Sequence, residues 1–169
     1  MIRIKKKNPH LEDIEEFVKN NSSKFRYLDS GVEGRVSYFK LDKKLVLNTE
    51  ILKPGEYVLK TFHPWTKYNF EILQKFKLIS KYGLIPKIFV ITNKYIIMKY
   101  IKGRRLSYFW NNSKEFEKTK LTKLDDRVNE LYDIWKKLGF DKYIDHSDEN
   151  ILVSEDLKHV YIIDPFSKE

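Results

Sequence analysis

Tyr143-Ile144-Asp145-His146-Ser147-Asp148-Glu149-Asn150-Ile151-Leu152-Val153, followed by Val160-Tyr161-Ile162-Ile163-Asp164, is the stretch on which the reading of this chain turns. An acid at Asp145, an amide at Asn150, an apolar strand, and a second acid closing another apolar strand form an ordered set. Such oxygen donors suit two tasks. A carboxylate accepts the proton of an attacking hydroxyl, and an amide with a carboxylate holds a hard cation such as Mg²⁺. A solvated turn also explains the polar run from Asp145 to Asn150, because its residue types favour turns. Asp164 argues against that reading. A carboxylate ending a Val-Tyr-Ile-Ile run would be partly buried, which is costly without a partner or a metal.

Upstream segments fall in a matching order. Residues 25–28 read as a strand, 29–34 as a turn and 35–41 as the returning strand. Gly31 and Gly34 in that turn, with Val36 beyond, allow close backbone approach to a ligand. Two glycines in a hairpin also serve as nothing more than a turn. Residues 56–62 read as a strand carrying Lys60; the plain alternative is an ordinary edge-strand lysine. A helix follows, with Thr66 as its cap, Gly83 at its end and Tyr68, Ile72, Phe76 and Ile79 as one apolar stripe. Glu71 borders that stripe. It can reach inward to Lys60, or pair on the solvent side with Lys75 at i+4 for a few tenths of a kcal/mol. Residues 84–91 and 95–98 read as two strands around a Thr92-Asn93-Lys94 turn, and Met98-Lys99-Tyr100-Ile101-Lys102-Gly103 follows.

Taken together, these segments resemble the eukaryotic-like protein kinase superfamily over nearly the whole chain. Asp145 and Asn150 have the spacing of the catalytic loop H-R-D-x-x-x-x-N, and Asp164 stands where the D-F-G aspartate would. Gly31, Gly34 and Val36 match the second half of G-x-G-x-x-G-x-V, with Asp29 near the place of the missing first glycine. Residues 56–62 have the form of the V-A-I-K strand, and 98–103 that of the hinge M-E-Y-I-x-G, with Lys99 in place of the acid. The resemblance implies ATP with Mg²⁺ or Mn²⁺ as cofactors. Asp145 would accept the hydroxyl proton, Asn150 and Asp164 would hold the metal, and Lys60 would grip phosphate with help from Glu71. Gly31 and Gly34 would cover the phosphates. The backbone of Lys99, Tyr100 and Ile101 would bond adenine, with Met98 behind it. Asp145-His146-Ser147-Asp148-Glu149-Asn150 is most similar to the compact atypical branch. There RIO kinases carry D-L-S-E-x-N, and the kinase subunit of the tRNA-modifying KEOPS complex is similarly reduced.

The departures shape the expectation. Tyr143 and Ile144 replace the histidine and arginine of the catalytic loop, and Asp164-Pro165-Phe166 replaces D-F-G, Pro165 restricting the backbone there. With Glu169 so soon after Asp164, an activation segment, A-P-E motif and peptide platform are expected to be lacking. The expected fold is α+β, a minimal two-lobe kinase-like domain. Its N-lobe, an antiparallel sheet plus helix, spans about 1–98, its hinge about 99–103, and its reduced helical C-lobe about 104–169, with ATP between the lobes.

Composition is consistent with this. The chain of 169 residues is 41% hydrophobic and 15% aromatic, enough for one core or two small lobes. No apolar run approaches the roughly 20 residues of a membrane span. The Met-Ile-Arg-Ile-Lys-Lys-Lys start lacks a signal-peptide apolar region, so a cytoplasmic location is expected. With no cysteine, disulfides and thiolate metal sites are excluded, and His10, His63, His146 and His159 show no zinc-ligand spacing. Leu11, Ile14, Phe17 and Val18 mark a short amphipathic helix. Leu121, Leu124, Val128, Leu131, Trp135 and Leu138 mark a longer one ending at Gly139, better read as core packing than as a coiled coil. The Tyr108-Phe109-Trp110 run is expected in the core as well.

The net charge of +9 reads first as a lysine-rich soluble surface. Lys5-Lys6-Lys7, Lys102, Arg104 and Arg105 form the alternative, a face for an acidic or RNA-containing partner. The expected activity is phosphate transfer to a serine or threonine hydroxyl of a protein, or to a small hydroxyl substrate. The alternatives are an ATPase or nucleotide-sensing subunit of a larger complex, a non-catalytic scaffold, and a basic RNA-binding module.

Overall fold

The computed structural model describes residues 11–30, 34–47, 50–64, 70–140 and 147–163. Its contacts divide the chain into two compact units, Met1–Leu78 with Lys87–Tyr100 and Ile79–Pro86 with Ile101–Glu169.

The first unit is built on a five-stranded antiparallel sheet in the order β1-β2-β5-β7-β6. Its strands are β1 (Arg26–Ser30), β2 (Gly34–Leu41), β5 (Gly55–Phe62), β6 (Ile88–Ile91) and β7 (Tyr95–Lys99). A separate hairpin, β3 (Leu45–Leu47) and β4 (Glu50–Leu52), lies between β2 and β5 in the chain. Alternation along a strand sends successive side chains to opposite faces. Tyr57 and Leu59 of β5 therefore share a face with Phe39 of β2 and with Tyr95 and Ile97 of β7. That face forms a core with Ile14 from α1 (Leu11–Asn20) and Leu47 and Leu52 from the hairpin. The opposite alternates, Val58, Lys60, Phe62, Ile96 and Met98, are buried too. A sheet buried on both faces needs no polar side, which is why Tyr95-Ile96-Ile97-Met98 is an unbroken apolar run.

Aromatic rings tie the helix to the sheet. Phe17 lies 5.8 Å from Phe25 and 5.5 Å from Phe39; Phe39 stacks 5.5 Å from Tyr57, which meets Phe89 at 5.3 Å. Such pairs add about 0.5–1.5 kcal/mol each beyond burial. The Glu15 carboxylate accepts from Lys94 at 2.6 Å, joining α1 to the β6–β7 turn. Helix α2 (Phe70–Ile79) buries Phe76, and its Lys77 donates to Glu50 of β4 at 2.5 Å. A 3-10 turn, Ser80–Tyr82, follows and ends at Gly83 with φ +77°. Gly83 thus stops the helical run where expected. Thr66, Tyr68 and the Ile72 side chain lie outside what is described.

The second unit holds α3 (Leu106–Asn111), α4 (Lys118–Lys137) and a three-stranded sheet in the order β10-β9-β8. Its strands are β8 (Gly103–Arg105), β9 (Ile151–Ser154) and β10 (Val160–Ile162). Leu124, Val128, Leu131 and Trp135 line the buried side of α4, and the Trp135 indole N–H donates to the Phe140 carbonyl at 2.7 Å. The stripe is core, as expected, from Leu124 to Trp135, but Leu121 is only partly buried and Leu138 is not core. That residue follows the last helical turn and is exposed, just before Gly139 at φ +77°. The Tyr108-Phe109-Trp110 run also needs correcting. Helical spacing in α3 buries Leu106 and Phe109, while Tyr108 and Trp110 stay partly exposed, Tyr108 beneath the Arg104 guanidinium at 4.1 Å. No helix among the described residues is long and apolar enough to cross a membrane.

Candidate functional site

Lys60 sits on β5, the middle strand of the five. Val36 of β2 is its partner on one side and Ile96 of β7 on the other. The edge-strand explanation for this lysine is thereby removed. Only 4% of Lys60 is exposed, and its ammonium lies 5.6 Å from the Phe62 ring centroid. Lysine is almost never buried to this degree unless its charge is engaged. Glu71, the expected partner, lies on α2, but its side chain is outside the description.

The glycine turn is described only at its far end. Gly34 begins β2 opposite Phe62, and a Cβ there would collide with the Thr61 carbonyl oxygen. The need for glycine at 34 is thus met by strand-to-strand approach. Gly31 lies outside the described residues.

Met98 is buried in β7 opposite Val58. Lys99 is exposed, and Tyr100 and Ile101 are partly buried. The Lys99 N–H donates to the Lys87 carbonyl at 2.8 Å, and the Tyr100 N–H to the Glu56 carbonyl at 3.1 Å. Both amides are committed to the sheet. No acceptor among the described residues meets the Ile101 N–H. Gly103 closes the segment as the first residue of β8, where the Val153 carbonyl of β9 leaves no room for a Cβ.

In the second unit, Ser147 opens a 3-10 turn, Asp148–Asn150, and its hydroxyl accepts from the Glu149 N–H at 3.3 Å. Asn150 donates its own N–H to the Ser147 carbonyl at 2.8 Å. Its carbonyl accepts the Ile163 N–H at 2.9 Å. The amide residue before β9 and the residue before Asp164 are therefore held together at the mouth of the β9–β10 hairpin. Asp145 and Asp164 lie outside the described residues.

Glu149 anchors this turn. The Ser107 hydroxyl and the Arg105 guanidinium, the latter at 2.9 Å, hold its carboxyl below the usual carboxylate range. Arg105 thus braces the polar loop, and Lys102 pairs with Glu155 at 3.0 Å. Reading Arg105 as a surface charge missed this brace; the chance of an acid 44 residues later was the only available signal. Beyond Ser154 the hairpin turn passes through Leu157 at φ +57°, whose carbonyl accepts from Arg127 of α4 at 2.7 Å.

Asn150 supplies an amide oxygen and Asp164 a carboxylate, both hard donors suited to Mg²⁺. Among the described residues no group of three or more His, Asp or Glu side chains could hold a metal alone. The donor set fits a cation that takes its remaining ligands from phosphate and water.

No protein-family model and no curated protein matches the chain. Solved structures do match in fold. The kinase domain of PknI from Mycobacterium tuberculosis superposes with a TM-score of 0.56 at 12% identity, over 86% of this chain and 61% of that one. A mutant form of the same domain gives 0.53 at 14%, over 85% and 59%. The chain therefore has a mixed α/β, protein-kinase-like fold, and spans about three-fifths of the length of the domains it matches.

Proposed function

We propose that this protein is an ATP-dependent phosphotransferase of the compact atypical kinase type, transferring the γ-phosphate to a serine, threonine or small-molecule hydroxyl. The observation that carries the reading is Lys60, a cation buried at the centre of a kinase-like sheet. An ammonium there is an expensive feature to keep, and phosphate oxygens are a ligand that would use it.

Lys60 binds and orients the phosphates. The Ile101 N–H donates to the base, beside the apolar side chain of Met98. Asp145 accepts the proton of the attacking hydroxyl. Asn150 and Asp164 would hold Mg²⁺, which when bound would offset charge on the phosphates. The Asn150–Ile163 hydrogen bond supports their acting as one pair. The Arg105–Glu149 ion pair braces the turn carrying Asn150.

A second reading is an ATPase or nucleotide-sensing subunit of a larger assembly, in which Lys60 and Asn150 keep the same roles and water accepts the phosphate. Asp145→Ala and Asp164→Ala test both. Calorimetry with a non-hydrolysable ATP analogue should find binding nearly intact in the first variant and weakened in the second. Turnover should fall by a factor on the order of 10² or more in both. Labelled product indicates transfer, and free phosphate alone indicates hydrolysis. Folded Asp145→Ala protein working at the parental rate would sink the assignment.

A further inference from the structure

We infer that the first unit carries a second ligand site, for a small amphipathic anion, at the Phe17–Phe25 end of the aromatic file. A cavity of about 420 Å³ lies where the end of α1 and the Ser22–Lys24 turn meet β2 and the turn into β3. That volume is in the range of small-molecule sites, about 300–1,000 Å³. Phe17 and Phe25 line it with the almost wholly buried Phe39 packed behind them ring against ring, so they offer an apolar, sterically fixed wall.

The charge around the cavity is one-sided. Lys24, Lys40, Lys43 and Lys44 line it against a single acid, Asp42. Alternation turns Lys40 to the face of β2 opposite Phe39, so Lys24, Lys43 and Lys44 serve the cavity. Among the described residues none of these three ammonium groups forms an ion pair. This contrasts with Lys77, Lys94, Lys102 and Lys120, which all do. Carbonyl groups at the end of a helix would oppose an anion. Here the Phe17 carbonyl already accepts from both the backbone and side-chain amide of Asn21, and the Asn21 carbonyl accepts from the Lys24 N–H. An acid head on the lysines with an acyl or aryl body on the phenylalanines satisfies both halves of the lining.

The site is independent of the nucleotide. Phe39 lies on the α1 face of the sheet, and Lys60 alternates to the other face. A carboxylate and a phosphate monoester share the required chemistry, and comparing them distinguishes the two sources.

Decanoate and decyl phosphate are the probes, with decanol and acetate as controls, titrated into the full chain by calorimetry and followed by NMR. Expected are saturable binding of at least one decyl acid, with shifts at Phe17, Phe25 and Phe39, and no saturable binding of decanol or acetate. The triple variant Lys24→Gln, Lys43→Gln, Lys44→Gln, of unchanged circular dichroism, should bind about tenfold or more weakly. Whichever decyl acid binds more tightly identifies the head group. A non-hydrolysable ATP analogue should leave this binding unchanged even if it binds elsewhere. Equal binding of decanol, equal binding of acetate, an unaltered triple variant, shifts confined to other residues, or displacement by the ATP analogue would each overturn the proposal.

Discussion

Lys60 shows how one residue changes meaning with its neighbours. In a chain with 33 lysines and arginines, a lysine within an apolar strand carries almost no information by itself. Its weight comes from β5 being flanked by β2 and β7, a long-range pairing that local sequence does not display. We expect Lys60→Met to keep the fold, because methionine retains an unbranched apolar stem. Affinity for a Mg²⁺–ATP analogue should fall about tenfold or more, the usual loss for a charge-assisted hydrogen bond. Unchanged affinity by calorimetry would remove Lys60 from the nucleotide site. Asp156 offers a test by pH. The Ser154 hydroxyl at 2.6 Å and the Lys158 N–H at 3.1 Å lower its pKa. A group depressed on folding contributes stability that is complete above its unfolded pKa and is lost as pH falls through the folded one. The melting-temperature gap between parent and Asp156→Ala should therefore be widest near neutrality and narrow in acid. A gap constant from pH 7 to about pH 2 would contradict the assigned bonds.

Elements were legible where a period or a stop signal was strong. Helix α4 has both, a 4-3-4 apolar spacing and a terminal glycine, and β9–β10 follows from two apolar runs around a polar turn. The β3–β4 hairpin was not legible. Its strands are three residues each, too short to show alternation, and Val46 and Ile51 face outward as exposed cross-strand partners. Nor was the pairing of β8 with β9, because Gly103-Arg104-Arg105 has no strand-like composition and is held by its partner. Glycines divide into two physical kinds. Gly34 is required by crowding against the Thr61 carbonyl, whereas Gly139 stands in open space and is required only by its φ of +77°. Gly139→Ala should cost about 1–2 kcal/mol from backbone strain alone. Gly34→Ala should cost at least as much, about 1–3 kcal/mol, and also displace the β2–β5 pairing. Denaturant melts with hydrogen exchange on β2 separate the two cases. Fast exchange of β2 amides in Gly139→Ala, or none in Gly34→Ala, would refute the distinction.

For the whole molecule, ligand linkage provides the broadest check. Anything that binds the folded state raises its stability by RT ln(1 + [L]/Kd), about 2.7 kcal/mol at a hundredfold excess over Kd. At about 2–4 °C per kcal/mol for a chain of this size, a Mg²⁺–ATP analogue should raise the melting temperature by about 5–11 °C. Chelating the metal should remove most of that rise. An equal shift with chelator would exclude the metal from binding, and no shift at saturating analogue would leave the fold without its proposed ligand. The site as a whole was partly legible for a related reason. Motif order along the chain pointed to Lys60 and Asn150, but not to the brace of Arg105 on Glu149 or to Ile163 bonding Asn150, because such contacts join residues distant in sequence.

The docking of α1 has a consequence in time. Its Glu15 meets Lys94, 79 residues further along, and its Ile14 shares a core with Val90, Tyr95 and Ile97. At about 5–20 residues per second, those partners leave the peptidyl-transferase centre about 4–16 s after α1 does. During that interval Ile14, Phe17 and Val18 have no finished sheet to cover. Helix α1 is thus seated only when β6 and β7 have been made, and its apolar face stays uncovered until β7 arrives.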